Sequence, residues 1–330
     1  MRAIFVVALL ALPALATPQL RWLDETGGLR EVALTRVESE SLTSVIAILE
    51  NGKKIEVPGR TLIELVREDD QNADQRRLLD ARQSLAAGLA DSKHIKLLDR
   101  LAADGKEDWI REYAAATRAL LAQRLEEEDA AQRLEAFLEK HPNSRFVCHV
   151  LIAQAWLKTD KPGAGTDEVM EYFMPVAEEI HKRSGSLYQV GRCLLESTRI
   201  VHKLNPASLE AHIGYMEAAS FSQEPGICDI VIHKGFGTLM WLERVYEVRD
   251  NLLKAGKKPY GPRRDAVRLA NTSGLLLPEV QCEVQLGVAQ LELDLEHEEE
   301  ARAALEKALT FARNPYRRAV VEERLQALPR

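Results

Sequence analysis

The chain has 330 residues, 46% apolar, 29% charged and 5% aromatic, with 18 glycines, 13 prolines and a formal charge of −7. These proportions exclude a disordered, collagenous or disulfide-dense chain, and the length suits about two or three domains. Mild acidity argues against general nucleic-acid binding, which needs a concentrated basic face to displace counterions.

Arg2 supplies a short positive start, Ala3 to Leu12 is an unbroken apolar run, and Pro13-Ala14-Leu15-Ala16 ends in an Ala-x-Ala pattern. This reads as a secretory signal peptide, residues 1–16, cut after Ala16, which places the mature chain in the periplasm or outside the cell. The run is about half of the ~20 residues a membrane span needs, and no later stretch approaches that length. No membrane span is therefore expected after cleavage.

Residues 17–69 carry a β pattern. Ile46 to Glu50 and Lys53 to Val57 flank Asn51-Gly52, the dipeptide suited to a two-residue type I′ hairpin. With that turn, Ile48 faces Ile55 and Ile46 faces Val57, placing the aliphatic pairs inside. Leu29 to Val37 is a further strand, preceded by the Gly27-Gly28 turn, and Thr61 is expected to cap a short helical turn over Leu62, Leu65 and Val66. So short a unit buries little and must lean on its neighbour.

Arg21-Trp22, Asp24, Gly27-Gly28, the Leu29 to Val37 strand, Asn51-Gly52-Lys53, Val57-Pro58 and Leu62-x-x-Leu65 followed by Glu68-Asp69 resemble the Sla-one homology domain of the first type. That resemblance implies a small β-barrel, similar in shape to a Src-homology-three domain, that serves protein interaction, as in exported proteins of planctomycete-like bacteria. It implies no particular ligand.

From residue 70 to 330 the pattern is helical. Ala301, Ala304, Leu305, Ala308, Leu309 and Ala312 form one apolar stripe, and Val284, Val288, Leu291 and Leu295 form another across a turn near Glu296 to Glu299. Ala130, Leu134, Phe137 and Leu138 form a third, which His141-Pro142-Asn143-Ser144 ends before a helix from about Arg145 to Leu157. Helix hairpins in series predict an α-solenoid of about seven pairs. Leu286-Gly287-x-Ala289 with Glu300-Ala301-x-x-x-Leu305-x-x-Ala308-Leu309, and Ala130-x-x-x-Leu134-x-x-Phe137-Leu138-x-x-x-Pro142, resemble divergent tetratricopeptide repeats. The expected fold is thus mainly α, a tetratricopeptide-like solenoid behind a small N-terminal β-barrel.

Motifs that would carry chemistry are sparse. Gly163-Ala164-Gly165 and Gly235-Phe236-Gly237 lack the third glycine and the Lys-Ser/Thr of a phosphate cradle, and read as turns between helices. His297-Glu298-Glu299-Glu300-Ala301 lacks the second histidine of a zinc helix and reads as an acidic helix start. Cys148, His149, Cys193, His202, His212, Cys228 and His233 show no ligand spacing between any two of them. Cys148, Cys193, Cys228 and Cys282 allow three full disulfide pairings in an oxidising compartment, beside the reading of four buried thiols. Lys257 to Arg264 is the strongest basic patch, read as a Pro/Gly loop kept soluble by charge. Trp22, Trp109, Trp156 and Trp241 read as packing residues.

No catalytic, cofactor-binding or metal-ligating residue is assigned, and the binding residues stay open. The sequence favours an exported non-enzymatic scaffold that binds peptide or protein partners through barrel and helical groove. The alternative is a hydrolase or carbohydrate-active enzyme on an all-helical scaffold, recognisable by a deep pocket holding a carboxylate pair.

Overall fold

The computed structural model describes residues 18–24, 29–68, 72–159, 163–221, 237–272 and 278–328. The signal-like segment 1–16, the Gly27-Gly28 turn, Cys228, His233 and most of Gly235 to Gly237 lie outside the described residues.

Five strands open the fold: β1 (Gln19–Leu23), β2 (Leu29–Glu40), β3 (Ser44–Leu49), β4 (Lys54–Pro58) and β5 (Leu62–Val66). They form an antiparallel sheet in the order β4-β3-β2-β1-β5. The long β2 pairs with β1 through its first half and with β3 through its second, and register shifts at Leu34/Arg36 and Val37/Ser39 bend it. Leu20, Leu34, Val45, Ala47, Val57 and Leu65, drawn from all five strands, consequently share one small core.

Two expectations are corrected here. Leu62 to Val66 is not a helical turn but β5, which pairs Leu65 with Leu20 of β1, while the Thr61 hydroxyl donates to the Pro58 carbonyl at 3.1 Å and closes the preceding turn. The hairpin register also differs by one residue. Leu49 N–H donates to the Lys53 carbonyl and Gly52 N–H to the Leu49 carbonyl, both at 2.9 Å, so the loop is Glu50-Asn51-Gly52 with Gly52 at φ +79°. Three loop residues instead of two pair Val45 with Val57 and Ala47 with Ile55. Because side chains alternate across a strand, that single step turns Val45 and Ala47 inward and Ile46 and Ile48 outward.

Thirteen α-helices follow among the described residues: α1 (Ala73–Ala87), α2 (Lys93–Asp104), α3 (Asp108–Arg124), α4 (Ala130–Lys140), α5 (Val147–Thr159), α6 (Thr166–Ser184), α7 (Leu187–Leu204), α8 (Leu209–Phe221), α9 (Gly237–Lys254), α10 (Tyr260–Thr272), α11 (Pro278–Asp294), α12 (Glu298–Phe311) and α13 (Pro315–Ala327). The three apolar stripes lie where periodicity put them: α4 buries Ala130, Leu134 and Phe137, and α12 buries Ala301, Ala304, Leu305 and Ala308 against α11. A Cβ on Gly287 would stand 2.7 Å from the Tyr246 hydroxyl and 2.9 Å from Leu242 Cδ1, so the small residue lets α11 lie close on α9. The basic patch is corrected in part. Tyr260 to Arg264 already belongs to α10, whose first turn tolerates Pro262, and Arg263 binds Glu292 of α11 at 2.8 Å.

Each odd-numbered helix from α1 to α9 packs on the next odd one as well as on its sequence neighbours. The two ends of the array also meet, because α1 packs on α13: Asn314 Nδ2 donates to the Gln83 carbonyl at 3.2 Å and the Tyr316 hydroxyl donates to Asp80. The sheet is seated on this array rather than beside it. Leu23, Leu42 and Ile63 join the large helical core, Leu42 N–H donates to the Asn143 carbonyl at 2.8 Å, and Arg145 donates to the Leu65 carbonyl at 2.9 Å.

Candidate functional site

Closing the helical array on itself leaves a cavity of about 870 Å³. Its wall comes from β1, β2 and β5 on one side and from the odd-numbered helices with the end of α12 on the other. Helical spacing explains which side chains arrive there. On α5, His149, Ile152, Ala153 and Trp156 recur every three or four residues; on α7, Gln189, Arg192, Glu196, Arg199 and Lys203 do the same. The remaining faces of α7 bury Val190, Cys193, Leu194, Ile200 and Val201. The polar stripe is therefore an inner wall, not a solvated outer face.

The wall carries nine Arg or Lys side chains against six glutamates, in a chain whose total charge is −7. The excess is local, and the lining is organised by ion pairs. Arg21, 5% exposed, bonds Glu64 of β5 at 2.7 Å and Glu279 of α11 at 2.9 Å, with Glu31 of β2 at 3.7 Å. Burial works against its charge, but the Glu279 and Glu64 carboxylates outweigh that cost and hold its pKa above the ordinary arginine value. Arg199 bonds Glu196 at 2.9 Å, Arg313 pairs with Glu31, and Arg317 with Glu283. Lys203 stands over the Trp156 ring at 5.9 Å.

A second set of charges, which includes Arg82 and Arg145 of the wall, locks the sheet to the helices. Arg82 pairs with the fully buried Glu68, Arg145 lies 3.5 Å from Glu40, and the Tyr113 hydroxyl donates to Glu40. Arg82 and Arg145 stack over the rings of Tyr113 and Phe146 at 4.8–5.6 Å, which themselves meet edge-to-face at 4.7 Å. Burial pushes the Tyr113 hydroxyl well above its usual pKa despite the nearby Arg145. That hydroxyl is a fixed donor at neutral pH, not an acid.

Of the scattered Cys and His set, only His149, which bonds Arg192, lines the cavity among the described residues. Cys148 and Cys193 are buried in the helical core as free thiols, Cys282 is a buried free thiol that also borders the cavity, and burial raises Cys148 and Cys282 to about 11 and Cys193 higher still. Such thiols are poor nucleophiles at neutral pH. His202 bonds Glu243 at 2.8 Å, and His212 meets Ser197 at 3.0 Å. Among the described residues no three of these groups, or of Asp and Glu, gather as a metal set. Trp156, read from sequence as packing, both packs on the core and faces the cavity. The α7 stripe was missed, although polar residues at 189, 192, 196, 199 and 203 within an otherwise apolar helix were its visible signal.

Chemically, the arrangement holds charge in place. Five of the six carboxylates in the cavity wall, Glu31, Glu64, Glu196, Glu279 and Glu283, are engaged by arginines. Compared with family models, curated proteins and solved structures, the chain matches none.

Proposed function

We propose that the protein is an exported, non-enzymatic scaffold that binds a peptide or protein partner in the cavity between a small β-barrel and a tetratricopeptide-like array of helix pairs. The observation that carries this reading is the cavity itself, a concave wall built from seven inner helices and the sheet, large enough for several residues of a partner. The strand order β4-β3-β2-β1-β5, with a bent central β2, supports reading the N-terminal unit as a Src-homology-three-like barrel. The antiparallel α11–α12 pair and the tight Gly287 contact support the repeat reading. A glycosidase-type hydrolase needs one carboxylate able to give a proton and another poised opposite it. Carboxylates fastened to guanidiniums favour the binding reading over that alternative.

The test places a photo-cross-linking residue at Gln189, inside the cavity, or at Glu306, on the exposed side of α12, and exposes the mature chain to the exported fraction. A recurrent adduct at position 189 and not at 306 is expected. Repeated absence of any adduct, with a stable monomer on size exclusion, refutes the proposal. N-terminal sequencing of the exported chain is expected to begin at Thr17.

A further inference from the structure

The cavity's guanidiniums are unevenly neutralised. Arg21, Arg199, Arg313 and Arg317 hold glutamates of the wall. Arg192, midway along α7, has no carboxylate within ion-pair distance among the described residues. Its partner is His149 Nε2, and Glu196, one turn on, is taken by Arg199. Since Nε2 accepts from Arg192, the ring proton of His149 sits on Nδ1. Nδ1 is shielded from solvent and has no hydrogen-bond partner among the described residues, and the same holds for Gln189 Oε1, three residues before Arg192.

All three residues line the cavity, but His149 Nδ1 and Gln189 Oε1 are closed off from it, so the spare donors it meets are those of Arg192. Burial and the charges of Arg192, Arg145 and Arg82 hold the His149 imidazole neutral, well below its ordinary pKa. Protonation cannot balance this field; an incoming anion can. A half-buried guanidinium facing a neutral imidazole lacks the counter-charge that burial demands.

We infer that Arg192, held in place by His149, receives a carboxylate of an acidic peptide that enters the cavity. A peptide fits better than a bare oxyanion because only an extended ligand uses both the cavity volume and the apolar Ile152 and Trp156 beside His149. The inference rests on the binding reading above and names its ligand chemistry.

The experiment measures fluorescence anisotropy of labelled hexaglutamate with the mature chain, alongside hexaglutamine and polygalacturonate. Hexaglutamate is expected to bind at one site, weakening as salt rises, with hexaglutamine at least tenfold weaker. Arg192→Gln is expected to weaken hexaglutamate at least tenfold, whereas Arg318→Gln, outside the cavity, leaves it unchanged. If Arg192→Gln alters the circular dichroism melt, His149→Phe, which keeps ring volume and removes the acceptor that holds Arg192, is read instead. Undetectable hexaglutamate binding, equal binding of hexaglutamine, tighter binding of polygalacturonate, or wild-type affinity in a folded variant overturns the inference. A partner that cross-links at position 189 yet is not displaced by hexaglutamate would sink the acidic-peptide assignment alone. Absence of both adduct and hexaglutamate binding would sink the binding reading as well.

Discussion

His212 offers a quantitative test of how the helices are packed. It lies on α8, wholly buried, with Nε2 3.0 Å from Ser197 Oγ of α7. Burial alone lowers its pKa from 6.5 to about 4. The unfolded chain keeps the ordinary value, so between pH 6.5 and 4 the unfolded state binds more protons and stability falls as pH falls. The contribution is complete above pH 6.5; by linkage, about 2 kcal/mol of it is gone at pH 5. Urea unfolding followed by circular dichroism at pH 8 and pH 5, for the wild type and His212→Gln, isolates this term. The stability advantage of the wild type over the variant is expected to shrink by about 2 kcal/mol between the two conditions. An unchanged gap, or a proton-resonance titration that places His212 near 6.5, would refute a dry α7–α8 contact.

His202 carries the opposite sign: its hydrogen bond to Glu243 raises its pKa despite partial burial, so its contribution is full below pH 6.5 and is lost as pH rises through the folded value. His202→Gln is accordingly expected to cost more stability at pH 6 than at pH 9 in the same urea assay. Arg21→Met leaves Glu31, Glu64 and Glu279 crowded without their shared cation. The expected loss is about 3 kcal/mol, the low end for a broken buried pair because the carboxylates are partly exposed, read from the urea midpoint. At Gly59 an added Cβ would lie 2.3 Å from the Leu42 carbonyl oxygen, backbone that cannot step aside. Gly59→Ala is expected to cost about 3 kcal/mol and to open the sheet to limited proteolysis, with wild-type resistance as the contrary result.

The α4, α11 and α12 stripes are written in spacings of three and four residues, and the turns at Gly163 to Gly165 and Glu296 sit between helices as expected. The hairpin was legible but not its register, because Asn51-Gly52 suits both a two-residue loop and the three-residue loop the chain adopts. Leu62 to Val66 reads locally as an amphipathic turn; it becomes a strand because β1, some forty residues earlier, offers an open edge.

The candidate site shows the same division more sharply. The α7 stripe was visible as a polar period, but whether it faced water or a cavity depended on helices elsewhere in the chain. Arg21 and Glu279 are 258 residues apart in sequence and 2.9 Å apart in space, a distance no local pattern encodes. Sequence by itself determined that the chain is mostly paired helices behind a small β unit, since backbone hydrogen bonding and side-chain periodicity are local. Tertiary structure alone decided that α1 meets α13, that the β unit sits in the array and that an acidic chain encloses a basic cavity. Those outcomes depend on which long-range surfaces bury one another, and charge summed along a chain says nothing about charge gathered around a point.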